Sequence, residues 1–137
     1  MNEDYIDALK ALAEPHRLRL FWLLIHVDQC ITVAEAVDVT GDTSYNASRN
    51  LKILYKAGLL TQMKMGKWVY YTLAEQDLLH WDLLVKSVRS LPADEFADVA
   101  ARCKKRLEMR VDNECVVGAN SDEWLEEIAD SALDTGR

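Results

Sequence analysis

Apolar positions first recur at helical spacing in EDYIDALKALA, where Tyr5, Ile6, Leu9 and Leu12 share one face. Pro15, directly after Glu14, suits the first turn of a second helix. Its sequence, PHRLRLFWLLIHV, runs to about Val27 and is apolar on most sides, so it belongs in the core. A short connection, DQC, leads to TVAEAVDVTG, read as a short helix capped by Thr32 or its neighbour and stopped near Gly41. Asp42, Thr43 and Ser44 offer caps for the next helix, which runs to about Ala57 with Gly58 at its C′ position. LLTQMKMGKWVYYTL then has two halves rich in β-formers flanking Lys64 to Lys67, where Gly66 can supply a positive φ, and this predicts a β-hairpin.

The helical period returns in AEQDLLHWDLLVKSVRSL. Leu78, Trp81, Val85 and Val88 form a stripe that Leu84 and Leu91 extend. Pro92 begins a further helix, PADEFADVAARCKKRLEMR, and a polar stretch, VDNECVVGANSD, leads to a short acidic amphipathic segment, SDEWLEEIADSAL. A short helix, a tight turn at a glycine and a second helix with small polar residues at its head is a helix-turn-helix pattern, and a hairpin directly after it makes a wing. The predicted class is therefore mainly α with a small β-hairpin wing. We divide the chain into a winged helix-turn-helix region, 1–91, and a helical C-terminal extension, 92–137, that carries Cys103 and Cys115.

The totals narrow the function. With 137 residues, half of them hydrophobic and only two prolines, the chain has the make-up of a folded, largely helical domain. No run approaches the ~18 apolar residues of a membrane span, so no membrane partner is expected. The acidic, amphipathic start does not look like a secretory signal, so a cytoplasmic location is expected. There is no Gly-rich phosphate loop, no Ser/His/Asp set and no metal-hydrolase motif, which argues against an enzyme.

Charge changes the picture more. The chain carries a formal net charge of −7, yet from Thr43 to Leu73 it has five basic residues (Arg49, Lys52, Lys56, Lys64 and Lys67) and no Asp or Glu. That segment is +5 and the remainder −12. A local cationic patch suits a phosphate backbone, while an acidic remainder opposes non-specific coating of DNA. A solvated helix face would carry cations too. The head of the helix favours DNA: Thr43, Ser44, Tyr45, Asn46 and Ser48 can hydrogen-bond base edges and phosphates, and the helix N-terminus turns free N–H groups toward an anion. Leu51, Leu54 and Tyr55 are expected to pack that helix onto the core.

Three pieces, LKALAEPHRLRLFWLL, CITVAEAVDVTGDTSYNASRNLKILYKAGLL and GKWVYYTL, together cover nearly all of residues 5–75 and resemble the ArsR/SmtB family of winged helix-turn-helix repressors. The resemblance implies a homodimer that binds a double-stranded, inverted-repeat operator and blocks transcription until an effector releases it. It implies that Thr43 to Lys52, including Ser44, Tyr45, Asn46, Ser48 and Arg49, lies in the major groove. It also implies that the tip from Lys64 to Lys67 touches the neighbouring backbone, and that the first helix and the helix after the wing form the dimer interface.

Family members sense metals, metalloids or oxidants, mostly through cysteines. Cys30 falls where the family has a cysteine at the entrance to the helix-turn-helix, but the second cysteine is missing, with Gln29, Ile31 and Thr32 around it. A zinc site on the helix after the wing would need partners about eleven residues from Glu75 and Asp77 (the spacing implied by the resemblance), and Val88 and Leu91 are apolar. His80 then reads as a surface or interface residue, and His16 and His26 as structural. Cys103 sits in ARCKKRL, where Lys104, Lys105 and Arg106 are expected to lower its thiol pKa. Cys115 sits in a polar turn, and a reversal after Arg110 would bring the two sulfurs together. Such a pair, with Cys30 as a third group, suits arsenite, antimonite or a soft divalent metal. Three readings stay open: a repressor released by arsenite or another soft ion, a redox- or sulfide-responsive repressor on the same thiols, and a winged-helix interaction module that no longer binds DNA. The cysteines as inert buried thiols also stay open.

Overall fold

A computed structural model describes the backbone of residues 3–135 and the side chains of 4–130. The outermost ends of both predicted segments thus lie outside the described residues. Helices α1 (Glu3–Leu12) and α2 (Pro15–Val27) are followed by strand β1 (Ile31–Thr32), helix α3 (Val33–Thr40), helix α4 (Ser44–Lys56), strands β2 (Leu60–Met65) and β3 (Trp68–Leu73), and helix α5 (Leu79–Arg89). A 3₁₀ turn at Ala93–Phe96 leads into α6 (Ala97–Leu107), and α7 spans Asp122–Thr135. The molecule is mostly helical with one three-stranded antiparallel sheet in the order β1-β3-β2.

Local chemistry sets these boundaries. Glu14 caps α2 by accepting from Arg17 N–H at 3.0 Å, with Pro15 in the first turn, where its missing N–H costs nothing. Thr32 and Glu35 form a reciprocal capping box at the start of α3. Gly41, at φ 78°, ends that helix in the left-handed conformation a side chain resists. Thr43 caps α4 through Asn46 N–H at 3.1 Å. Gly66, at φ 61°, supplies the positive φ needed in the two-residue loop between Met65 and Trp68.

The core is built on α2, whose residues Leu20 to Ile25 are all buried, as its apolar pattern predicts. Ala47, Leu51 and Leu54 hold α4 against it, each fully buried, and each leucine contributes about 1.5–3 kcal/mol by burial. Tyr55 does not join them: it is 38% exposed and meets the Tyr71 ring edge-on at 6.5 Å. From the stripe on α5, Trp81, Val85 and Val88 are buried, whereas Leu78 stands outside. Beyond α5 the chain folds back. Phe96 stacks on Trp22 with ring centroids 4.4 Å apart, and Val99 and Cys103 join the same core as α1 to α5. The helix predicted to start at Pro92 starts at Ala97, because the first four residues after Pro92 take the tighter 3₁₀ form.

Candidate nucleic-acid interface

Helix α4 has two faces. Ala47, Leu51 and Leu54 point inward; Ser44, Tyr45, Ser48, Arg49, Lys52 and Lys56 line a shallow groove along its outer side. Tyr45 is 74% exposed, and Asn46, Arg49 and Lys52 also face solvent. Thr43 Oγ1 is engaged by the cap, so its hydroxyl positions the helix head. The wing presents Lys64 and Lys67 at its end, and Lys67 Nζ lies 4.9 Å from the centre of the Trp68 ring. Among the described residues none of Arg49, Lys52, Lys56, Lys64 and Lys67 pairs with a carboxylate. The acid-free stretch thus leaves its cations unneutralised, as electrostatic attraction to phosphate requires.

The sequence did not show what flanks the helix head in space. Glu14, His16, Arg17 and Asp42 border one side of α4 beside Asn46, Arg49 and Asn50. His16 Nδ1 donates to Glu14 Oε1 at 2.7 Å, and Arg17 donates to Ala11 O at 2.6 Å and weakly to Asn50 Oδ1 at 3.5 Å. Although burial pushes the Glu14 carboxyl up, the His16 side chain and the backbone N–H groups of Arg17 and His16 bring it down to about 2. His26 donates from Nδ1 to Trp22 O at 3.0 Å and stacks on the Trp22 ring; His80 meets Tyr5 edge-on. His26 is thus held against its own helix, and His80 is exposed.

On the far side of α3 lies a second charged region of opposite design. Asp38 and Glu35 are buried on α3, and Arg106 near the end of α6 and Arg110 just beyond it supply one guanidinium to each. Arg106 Nε donates to Asp38 Oδ2 at 2.7 Å with both side chains fully buried, and Asp38 Oδ1 accepts from Asn120 N–H at 2.8 Å. Arg110 grips Glu35 with two bonds of 2.7 Å and donates to Cys30 O at 2.6 Å. Its guanidinium also lies 5.7 Å from the centre of the Tyr70 ring. The Glu35 bonds raise the Arg110 pKa against the opposing effect of burial.

The cysteines are distributed over this region. The chain does turn back after Arg110: Val111 and Glu114 exchange both backbone bonds around Asp112 and Asn113, which take φ 53° and 60°. This brings Cys115 to β1 and β3, where its N–H donates to Tyr70 Oη at 2.9 Å and its sulfur accepts from Thr32 Oγ1 at 3.5 Å. The expectation for Cys103 is reversed. Burial and the Glu35 charge outweigh Arg110 and push its thiol up to about 11. Lys104 is exposed and Arg106 is committed to Asp38, so neither activates the sulfur. Cys30 is half-buried and all three thiols are free. Among the described residues no three of His, Cys, Asp and Glu form a group suited to a metal ion, so Cys30, Cys103 and Cys115 are not a preformed three-ligand site.

Fold and site together define a winged helix-turn-helix protein. The family described as "Helix-turn-helix domain" matches residues 12–62. The chain is 36% identical over 74 residues to the HTH-type transcriptional repressor SmtB of two Mycobacterium tuberculosis strains, covering 54% of this chain. It spans about half, 53%, of the length of those relatives. Its fold is similar to that of HlyU from Vibrio cholerae N16961, with a TM-score of 0.56 and 24% identity, over 65% of this chain and 91% of that one. Among the described residues no helix is long and apolar enough to cross a membrane.

Proposed function

We propose that this protein is a DNA-binding transcriptional repressor of the ArsR/SmtB type and not an enzyme. The observation that carries this reading is the outer face of α4 with the wing: Ser44, Tyr45, Asn46, Ser48, Arg49 and Lys52 above a buried apolar seam, with cations that no described carboxylate pairs with. The α4 N-terminus enters the major groove to read bases; Lys64 and Lys67 lie over the flanking phosphates. Two copies pair through α1 and α5, where Tyr5, Leu9, Leu78, Leu79 and Leu83 are exposed apolar side chains, and the pair reads an inverted repeat.

Release follows when cysteine thiols take up arsenite, antimonite or another soft ion. Cys115 and half-buried Cys30 flank the start of α3, whereas protonated Cys103 reacts only when α6 lifts from α3. The DNA reading is tested by selecting bound duplexes from a random-sequence library with the full-length protein. An enriched inverted repeat is expected, and no enrichment overturns the reading. Adding arsenite, antimonite, cadmium, zinc, peroxide or polysulfide in parallel to the selected complex tests release. Release by soft ions alone supports the metalloid reading; release by peroxide or polysulfide alone replaces it with a redox one.

A further inference from the structure

Among the described residues Arg110 makes no hydrogen bond or ion pair with α4, yet it joins α3, which packs on α4, to β3, the inner strand of the wing. Its side chain is 3% exposed. One guanidinium binds both oxygens of Glu35, the residue that closes the capping box on Thr32 at the start of α3. It binds the carbonyl of Cys30, immediately before β1, and donates weakly to Gln29 Oε1 at 3.4 Å. It also faces the ring of Tyr70 on β3, the strand that pairs with β1 at Thr32 and with β2 along the wing. The Tyr70 hydroxyl in turn accepts the Cys115 N–H, and the Cys115 sulfur accepts from Thr32. Helix α3, strand β1, the wing and the Cys115 loop therefore meet at a single side chain.

We propose that Arg110 is a positioning residue for DNA binding: it fixes the angle between the helix-turn-helix and the wing without touching DNA. This rests on the reading of α4 and the wing as the DNA-contacting surface. The planar fork matters because it holds two carboxylate oxygens and a carbonyl in one fixed geometry, which a flexible ammonium does not do. Through Tyr70 and Thr32 the same knot gives the Cys115 thiol a physical route to both DNA-contacting elements.

The test uses full-length protein and the duplex that the parent enriches, titrated by fluorescence anisotropy over a range of salt at a temperature where each variant is folded by circular dichroism. Arg110→Gln is expected to lose about tenfold in affinity, the size of a coupling transmitted through packed groups, with its salt slope unchanged. An affinity within twofold of the parent overturns the proposal. So does a salt slope lower by about one, the mark of a lost phosphate contact. If Arg110→Gln does not fold, Arg110→Lys decides, because it keeps the charge and loses the planar fork that spans Glu35 and the Cys30 carbonyl. A loss of about threefold at unchanged slope is then the expected result, and parent-like binding overturns the proposal. Failure of the underlying DNA reading is distinguishable, since the parent would then enrich no duplex at all.

Discussion

Arg49, Lys52 and Lys56 on α4 and Lys104, Lys105 and Arg106 at the end of α6, with Arg110 just beyond it, are both basic runs, yet the fold puts them to opposite use. On α4 the cations face solvent and none of them is ion-paired with a described carboxylate. Around α6 the two arginines are buried against Asp38 and Glu35, which α3 presents on its inner side. A run of basic residues does not state its partner. The neighbouring elements decide, and those beside α4 bring no described carboxylate into an ion pair with its cations. One region is open to a polyanion; the other has already neutralised its charge inside the protein.

The largest expected effect breaks the buried side of this contrast. Arg106→Ala leaves Asp38 buried and unpaired, which costs about 3–5 kcal/mol. Urea denaturation of the variant checks this, and a midpoint close to that of the parent would mean that the pair is open to water. The second prediction concerns the thiol between these charges. A Cys103 pKa near 11, against an ordinary value of 9, gives a thiolate fraction about a hundredfold lower at neutral pH. Mass-resolved alkylation at pH 8 should therefore label Cys30 long before Cys103. The same shift has a stability sign. Because the folded pKa is the raised one, the stabilisation is complete below pH 9 and is lost as pH rises from 9 towards 11, and Cys103→Ala should flatten that decline.

The exposed side of the comparison gives the third prediction. Arg49→Ala should leave stability within about 0.5 kcal/mol of the parent. It should weaken duplex binding about tenfold and lower the salt slope by about one. A stability loss with unchanged binding would invert the contrast between the two regions. The smallest effect is expected at Glu14, the cap of α2 beside the α4 head. Its carboxyl sits at about 2, below the ordinary 4.5, so its contribution is present above pH 4.5 and is lost as pH falls from there towards 2. Glu14→Gln should cost about 1 kcal/mol near neutral pH, as lost caps do, with less of the cost remaining in acid. Thermal melts across that range measure it.

The two regions also differ in how far the sequence reveals them. The α4 boundaries and the hairpin rest on short-range chemistry: a threonine cap at Thr43, positive φ at Gly58 and Gly66, and an apolar period that places Leu51 and Leu54 inside. Such signals lie within a few residues of what they control. Strand β1 carries no such signal, since two residues become a strand only because β3 pairs with them from about forty positions away. Asp38–Arg106 and Glu35–Arg110 are equally remote in sequence, separated by 68 and 75 positions. Reading Cys103 from its sequence neighbours failed for a related reason. Successive residues on a helix point about 100° apart, so Lys104 turns to solvent while the thiol faces the core.

The lone indole on the wing has an optical consequence. Trp22, Trp81 and Trp124 are buried, whereas Trp68 is half-buried at the end of the hairpin with the Lys67 ammonium over its ring. The solvent-sensitive part of the intrinsic emission therefore originates at the wing. A ligand that draws Lys67 away or covers the hairpin should change that emission, so Trp68 is a built-in reporter of wing engagement that needs no attached dye.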